Sequence, residues 1–359
     1  MRILVDSPAF MDQFERDLAQ ATRSVAIQAM SFEGDQAGLR LARLLRDRHD
    51  LDRTLVIDRY SLFYVSDCFL PAPWNAVSAS LWRERASTLA AVRELRRHGV
   101  TVFWTNPVGL AFRKFIARNH KKSVVIDRRV VYFGGMNFCD HNFDWHDVML
   151  RLEDEELGAF MCEEIQATLR GGNQSIRRDF GGIEILLLDG VGNEEGFEPV
   201  FRLIGEARRS IVVESAYVTF PFYSHLAQAV RRGIAVTIIA PEHNNKPNMN
   251  RYTQWEAARA GIELRLYPGR MNHIKAMLVD DEALIMGSSN FDYLSVHAYQ
   301  EVVAIVREPA VIEQYRREVL DADLARCVGP TRRFSAAWQS ARRAAFGTLG
   351  RAAVGLSRL

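Results

Sequence analysis

Two stretches of the chain carry the same reactive side chains at the same spacing. Residues Arg118–Asp127 read RNHKKSVVID and residues Met271–Asp280 read MNHIKAMLVD, so both are Asn-His-x-Lys-x-x-x-x-Asp. With nine His and five Lys in 359 residues, chance supplies roughly 0.13 His-x-Lys matches per chain, so two copies with matching Asp are not an accident of composition. Positive charge elsewhere is almost all Arg; Lys is confined to Lys114, Lys121, Lys122, Lys246 and Lys275. A His-Asp pattern suggests a metal, but an ammonium group beside each His would repel a dication. Two imidazoles and two ammonium groups suit a phosphoester instead. The ammonium groups of Lys122 and Lys275 neutralise charge that builds on phosphoryl oxygens in the transition state. One imidazole, His120 or His273, attacks phosphorus and the other protonates the departing alkoxide. An unperturbed imidazole titrates near pH 6.5, so a neutral nucleophile and a charged acid coexist at neutral pH. In-line displacement needs the two on opposite sides of phosphorus, and two copies related by an approximate two-fold axis are expected to supply this, each giving half of one site.

The elements around the motifs repeat as well. The first half reads as a strand (Ile3–Val5), a helix capped by Ser7 with Pro8 at its first position, then RSVAIQAMSF, GLRLARLLRDRH, TLVID, VRELRRHG and VTVFW as alternating strands and helices. The second half repeats the alternation with IEILLLD, EPVFRLIGEARR, SIVVESAYVT, HLAQAVRRG, IAVTIIAP, QWEAARAG and IELRLYP. Gly99, Gly233 and Gly261 close helices just before strands. Each motif reads as an alternating strand on which His and Lys, two apart, share a face. After each comes a second short strand ending in Gly-Gly-Met-Asn (Gly134–Asn137) or Gly-Ser-Ser-Asn (Gly287–Asn290). The spacing predicts an α/β chain of two like halves with a mixed sheet in each: 1–172, holding the first motif and an aromatic-rich insertion at 59–84, and 173–330, holding the second. The glycine pairs at 171–172 and 181–182 bracket the expected link. A tail, 331–359, has six Arg and no acid, with Phe334, Trp338, Ala341, Ala345, Leu349, Ala352 and Leu356 on one helical face.

Composition narrows the classes. At 48% hydrophobic and 25% charged the chain is an ordinary globular one, and a net charge of +2 excludes a general polyanion binder. The four Cys (Cys68, Cys139, Cys162 and Cys327) form no Cys-x-x-Cys pair, which argues against a zinc site or a disulfide framework and fits a reducing compartment. No signal-peptide pattern opens the sequence, and no run of about 18 apolar residues reads as a membrane span. The tail reads as an interfacial helix drawn to anionic lipid. The aromatic residues of 59–84, with Leu110, Phe112 and Phe115, are expected to face acyl chains.

The doubled His-x-Lys-(x)4-Asp, each followed by Gly-Gly/Ser-x-Asn, resembles the signature of the phospholipase D superfamily. The resemblance covers most of residues 1–325. It implies two phospholipase D-like α/β halves related by a pseudo-two-fold axis, and metal-free, cofactor-free phosphodiester exchange through a phosphohistidine. On matching positions it implies catalytic roles for His120, His273, Lys122 and Lys275, phosphate binding by Asn137, Asn290 and Ser289, and structural roles for Asp127 and Asp280. It further implies an acid about ten positions beyond each Asn that orients a His; Asp147 and Glu301 fit. The stretch RNHKKSVVIDRRVVYFGGMNFCDHNFDWHDVMLRLE looks most like bacterial cardiolipin synthases, through its Arg-Asn-His entry and Trp145-x-Asp147. The second half departs from that group, with DYLSVHAYQE placing His297 and Tyr299 before the acid. The resemblance implies a phosphatidyltransferase on a phospholipid substrate, cytoplasmic and peripheral on the inner face of the membrane, with nucleic acid disfavoured and the oligomeric state left open. The alternatives are a phosphodiesterase that ends with water, and a non-catalytic membrane-binding module. His146 reads as a bystander and Cys139 as packing.

Overall fold

The structure, a computed structural model, describes residues 1–330 and residues 351, 354 and 355; the rest of the basic tail lies outside the described residues. Two compact units divide between Asn173 and Gln174.

The first unit is built on a seven-stranded sheet. Its strands are β1 (Arg2–Val5), β2 (Ser24–Ala29), β3 (Asp52–Asp58), β4 (Thr101–Thr105), β5 (Ser123–Ile126), β6 (Val130–Gly134) and β7 (Val148–Glu153). Their spatial order is β1-β7-β6-β5-β2-β3-β4. β2, β3 and β4 run parallel, linked through the helices Gln36–Asp47 and Ala79–Arg97; β5, β6 and β7 form an antiparallel meander. Leu41, Leu45, Val92 and Leu95 from those two helices cluster with Val25, Ile27, Leu55 and Ile57 of the sheet. The helix Glu155–Leu169 packs on β2, β5 and β6, where Gln28 and Glu164 meet at 3.4 Å. Gln28 and Ile27 point to opposite faces by the period of two, so helices cover both faces.

The second unit holds β8 (Ile176–Asp179), β9 (Ile183–Asp189), β10 (Ser210–Ser215), β11 (Ala235–Pro241), β12 (Glu263–Tyr267), β13 (Lys275–Val279), β14 (Ala283–Gly287) and β15 (Tyr299–Val306). They lie in the order β8-β9-β15-β14-β13-β10-β11-β12. The segment β15-β14-β13-β10-β11-β12 repeats β7-β6-β5-β2-β3-β4 strand for strand, with the same antiparallel and parallel pairings. The repeat read from the sequence is therefore a repeat of topology. Its core joins Leu226 and Ala229 of the helix Phe222–Arg231 to Val213, Ile238, Met277 and Ile285.

Four local expectations differ from what is found. The motif strands do not alternate: every residue of β5 and of β13 is buried, because helices cover both faces. Only β13 reaches its motif Lys, and both His precede their strands. Ser7 is not a cap. The helix begins at Asp6, and the Ser7 hydroxyl donates to the Phe143 carbonyl at 2.7 Å. The stretch between the glycine pairs is not a bare link, since β8 runs through it, exposed along its length and paired with β9.

Candidate active site

Each motif is anchored by its Asp at the far end. Asp127 and Arg128 have φ of 53° and 56°, and Asp280 and Asp281 have φ of 54° and 58°. Two successive left-handed residues make the tight turn whose twist suits a two-residue hairpin, and Asp tolerates that conformation better than most. The Asp127 carboxylate accepts from the N–H groups of Thr22 (2.8 Å), Arg23 (2.7 Å) and Ser24 (2.9 Å). Asp280 repeats this with Arg208 (2.8 Å), Arg209 (2.7 Å) and Ser210 (2.9 Å). Burial raises both carboxyl pKa values, but these N–H groups outweigh it and hold both below the usual range. The Asp thus ties the hairpin to the start of the strand beside it, β2 in the first unit and β10 in the second.

At the other end of each motif, Lys122 Nζ donates to the His120 carbonyl at 2.6 Å and Lys275 Nζ to the His273 carbonyl at 2.5 Å. Each Lys thus reaches back to the backbone of its own His, a tie that strand periodicity did not predict. All four side chains are buried. The flanks differ between copies. In the first unit two buried ion pairs bracket His120: Arg118 with Asp58 at 2.8 Å and Lys121 with Glu164 at 2.5 Å. Asp58 also accepts from the Asn119 N–H at 2.6 Å. In the second unit Asn272 accepts from the Ile274 N–H at 3.0 Å and donates to Glu214 at 3.3 Å, and Tyr315 donates to Glu214 at 2.8 Å. The first loop is held by charge and the second by amides and a phenol.

The acids beyond each Asn sit at equivalent places, one residue before the strand residue whose carbonyl receives the turn. Gly135 N–H donates to Val148 O at 3.2 Å and Ser288 N–H to Val302 O at 2.9 Å. Asp147 and Glu301 immediately precede those residues. Gly135 leaves room for the acid: a Cβ there would lie 2.2 Å from the Asp147 carboxylate, which would have to shift. In the second copy that place is Ser288, whose hydroxyl donates to Glu301. Ser295 donates to the other Glu301 oxygen at 2.9 Å. Asn137 is tied into its loop, accepting from Ser31 N–H at 3.0 Å and donating to Asn142 at 2.7 Å. Asn290 Oδ1 is buried with no hydrogen-bond partner, and Ser289 turns its hydroxyl to the Asn290 carbonyl at 2.7 Å.

Several anchoring residues carry no motif signal. Asp58, Glu164 and Glu214 lie far in sequence from the loops they hold. His146, read as a bystander, is buried with Nδ1 2.7 Å from Asp6, and Asp6 also accepts from the Asp147 N–H at 3.3 Å. Asp6 has φ of 65°, the one signal that it does more than start a helix. His297 lies 3.5 Å from Glu194 and against the Tyr293 ring. Cys139 is buried, and burial raises its thiol pKa well above the ordinary value.

Two groups of donors could hold a metal ion among the described residues: Glu33, Cys139 and His141, and Glu33, Asp35 and Glu84, each set within 4.8 Å. Burial, opposed by the Ser66 N–H and reinforced by Glu84 and Asp35, raises the Glu33 carboxyl to about 9, so at neutral pH it keeps its proton. A cation there would first have to displace that proton.

The family model described as "Cardiolipin synthase, PLD-like domain" matches residues 14–168 and 200–322, which take in both motifs. The chain belongs to this family. Among its phospholipase D-like relatives, a cardiolipin synthase of Geobacillus kaustophilus is 27% identical over 259 residues, covering 65% of this chain and 52% of that protein. One of Staphylococcus aureus is 26% identical over 264 residues, covering 65% and 53%. The chain spans about half the length of the curated relatives it matches. In fold this cardiolipin synthase-like chain is similar to phosphatidylserine synthase of Haemophilus influenzae, with a TM-score of 0.69 at 15% identity, covering 98% of this chain and 93% of that one. It is also similar to polyphosphate kinase of Porphyromonas gingivalis, with a TM-score of 0.58 at 11% identity, covering 98% and 53%. No helix among the described residues is long and apolar enough to cross a membrane.

Proposed function

We propose that the chain is a phosphatidyltransferase of cardiolipin-synthase type, moving a phosphatidyl group from a phospholipid to an alcohol through a phosphohistidine. The observation that carries this reading is the doubled motif in duplicated surroundings: the same Lys-to-His-carbonyl bond, the same Asp-anchored turn and the same acid before the receiving strand residue. Family membership and the relatives' names point to the same chemistry.

The exchange needs two imidazoles, one as nucleophile and one as acid and base, and each motif brings one. Neutral His120 attacks phosphorus, the bond to the leaving alkoxide breaks, and protonated His273 gives that alkoxide its proton. His273, now neutral, takes the proton of the incoming alcohol. The alcohol oxygen attacks phosphorus, and the His120–phosphorus bond breaks. Lys122 and Lys275 stabilise the phosphoryl oxygens. The side-chain N–H groups of Asn290 and Asn137 donate to the phosphate, and the orphaned Asn290 Oδ1 accepts from a water or an alcohol hydroxyl beside it. Asp147 and Glu301 orient the imidazoles. The protein works at the cytoplasmic face of the membrane on lipid held there.

Vesicles of phosphatidylglycerol incubated with the protein, with products read by mass spectrometry, test this. A lipid carrying two phosphates is expected. Phosphatidic acid alone would make water the acceptor and the protein a phospholipase. His120→Ala and His273→Ala are each expected to lower turnover by roughly 10²–10⁴-fold with the fold intact, and retention of most activity by either would remove the two-His mechanism. A chelator is expected to leave the rate unchanged.

A further inference from the structure

The insertion and the loop before the first motif make one aromatic body. Phe112 packs on Phe63 at 5.2 Å, on Phe115 at 5.8 Å and on Phe69 at 6.4 Å between ring centroids. The Phe69 carbonyl accepts from the Asn75 side chain at 2.9 Å, and Trp82 Nε1 donates to the Ala76 carbonyl at 2.8 Å, so the segment Pro73–Trp82 is fastened to the same body. Tyr60 and Tyr64 stack beneath at 4.5 Å. These rings pack on one another, and other side chains of the two segments stand out in solvent. Leu110 is 87% exposed, Val77 84%, Trp74 76%, Trp82 43% and Phe112 41%. Single exposed apolar residues are ordinary, but five on two joined segments are not.

The backbone holds the outermost one in place. Gly109, Ala111 and Phe112 have φ of 71°, 51° and 60°. Left-handed Ala and Phe cost about 1 kcal/mol each, so a loop that displays Leu110 at their expense is a feature with a use. Charge supplies the partner's sign. Exposed Arg113 and Lys114 lie three and four residues after Leu110, and Lys114 is one of only five Lys in the chain. No acid occurs from residue 106 to 126 or from residue 68 to 83. An apolar tip with a basic collar and no acids matches the acyl layer and headgroup phosphates of an anionic bilayer.

We propose that segments 73–82 and 109–114 are a docking surface for an anionic phospholipid bilayer, with Leu110, Val77 and Trp74 entering the acyl layer while Arg113 and Lys114 meet headgroup phosphates. This rests on the phospholipid reading of the site and gives that site a route to substrate that does not depend on the basic tail. The loop leads within a few residues to His120, so docking places the first motif near the lipid surface.

The test uses the full chain and vesicles of equal parts phosphatidylglycerol and phosphatidylcholine. Trp74 emission, taken as the difference between wild type and Trp74→Phe, is expected to shift to the blue and to be quenched by brominated acyl chains. Val77→Asp and Leu110→Asp are expected to weaken sedimentation with vesicles by about tenfold each. Unmoved Trp74 emission, or unchanged vesicle binding in both variants, overturns the proposal. So does a shift from dimer to monomer in the variants with vesicle binding intact, which would assign the surface to a second copy. Activity separates the two claims: Val77→Asp is expected to lose turnover on vesicles and keep it on a short-chain phosphatidylglycerol below its micelle concentration. Wild type that binds vesicles through Trp74 but turns over neither substrate would sink the function and leave the docking surface standing.

Discussion

Removing the Asp280 carboxylate separates structural from chemical roles in the motif. Its oxygens accept from three backbone N–H groups at 2.7–2.9 Å, and nothing else in the turn replaces them. Bonds to a charged acceptor are worth up to roughly 1.5–3 kcal/mol each when buried. Arg208 and Arg209 are exposed, so water recovers much of that for two of the N–H groups, and about 2–3 kcal/mol in total is the expected loss. Ala at φ of 54° adds about 1 kcal/mol of backbone strain. Asp280→Ala is therefore expected to destabilise the second unit by about 3–4 kcal/mol. Asp280→Gly escapes the strain and should fall about 1 kcal/mol short of that. Asp280→Asn keeps one acceptor and the left-handed preference and should lose least. Urea unfolding followed by tryptophan fluorescence reads the series. The pH dependence has a fixed sign: the folded pKa is depressed, so the contribution is present above the unfolded value and lost as pH falls through the folded one. In acid Asp280→Asn and Asp280→Gly should converge on wild type, and Asp280→Ala should stay about 1 kcal/mol below it through its backbone strain. Wild-type stability in Asp280→Ala at pH 7 refutes the reasoning, and so does full stability with abolished turnover, which would make the Asp a chemical group.

Gly135→Ala should cost about 1–3 kcal/mol, or expel Asp147 and cut turnover, because its Cβ would sit 2.2 Å from that carboxylate; a variant with wild-type stability and rate contradicts the crowding. Glu33→Gln should leave stability near wild type at pH 5 and exceed it increasingly as pH rises. The folded Glu33 pKa is about 9 against an ordinary 4.5, so wild type loses stability across that interval by at most about 1.4 kcal/mol per pH unit. Parallel pH–stability curves for the two proteins would contradict this. Arg118→Met strands the buried Asp58 carboxylate and is expected to destabilise the first unit by about 3–5 kcal/mol, read by thermal unfolding; Asp58→Asn on the same background should recover part of it.

The fold was legible because it is written twice. Outside the insertion the second half repeats the alternation of the first, so β5, β6, β13 and β14 could be placed from the paired motif and its Gly-x-x-Asn turns. The motif side chains were legible because His, Lys and Asp at a fixed spacing are rare by chance. Their local geometry was not. Alternation was expected where helices bury both strand faces, and a shared strand face was expected where Lys122 and Lys275 instead bond their own His carbonyls. Asp58, Glu164 and Glu214 were missed because a buried carboxylate that anchors a loop 61, 43 or 58 positions away leaves no local pattern. Asp6 was hidden by its neighbour: Ser7-Pro8 reads as a helix start, and only the left-handed backbone at Asp6 shows that its side chain is committed to His146.

A covalent intermediate on a motif histidine is the claim on which the chemistry depends. Protein mixed with phosphorus-labelled phosphatidylglycerol, quenched in alkali where phosphohistidine survives, and mapped by peptide mass spectrometry measures it directly. Label is expected on the peptide that contains His120, and none in His120→Asn. Turnover with no label on either histidine peptide would mean that the acceptor attacks the lipid directly, and the two-step exchange would be wrong.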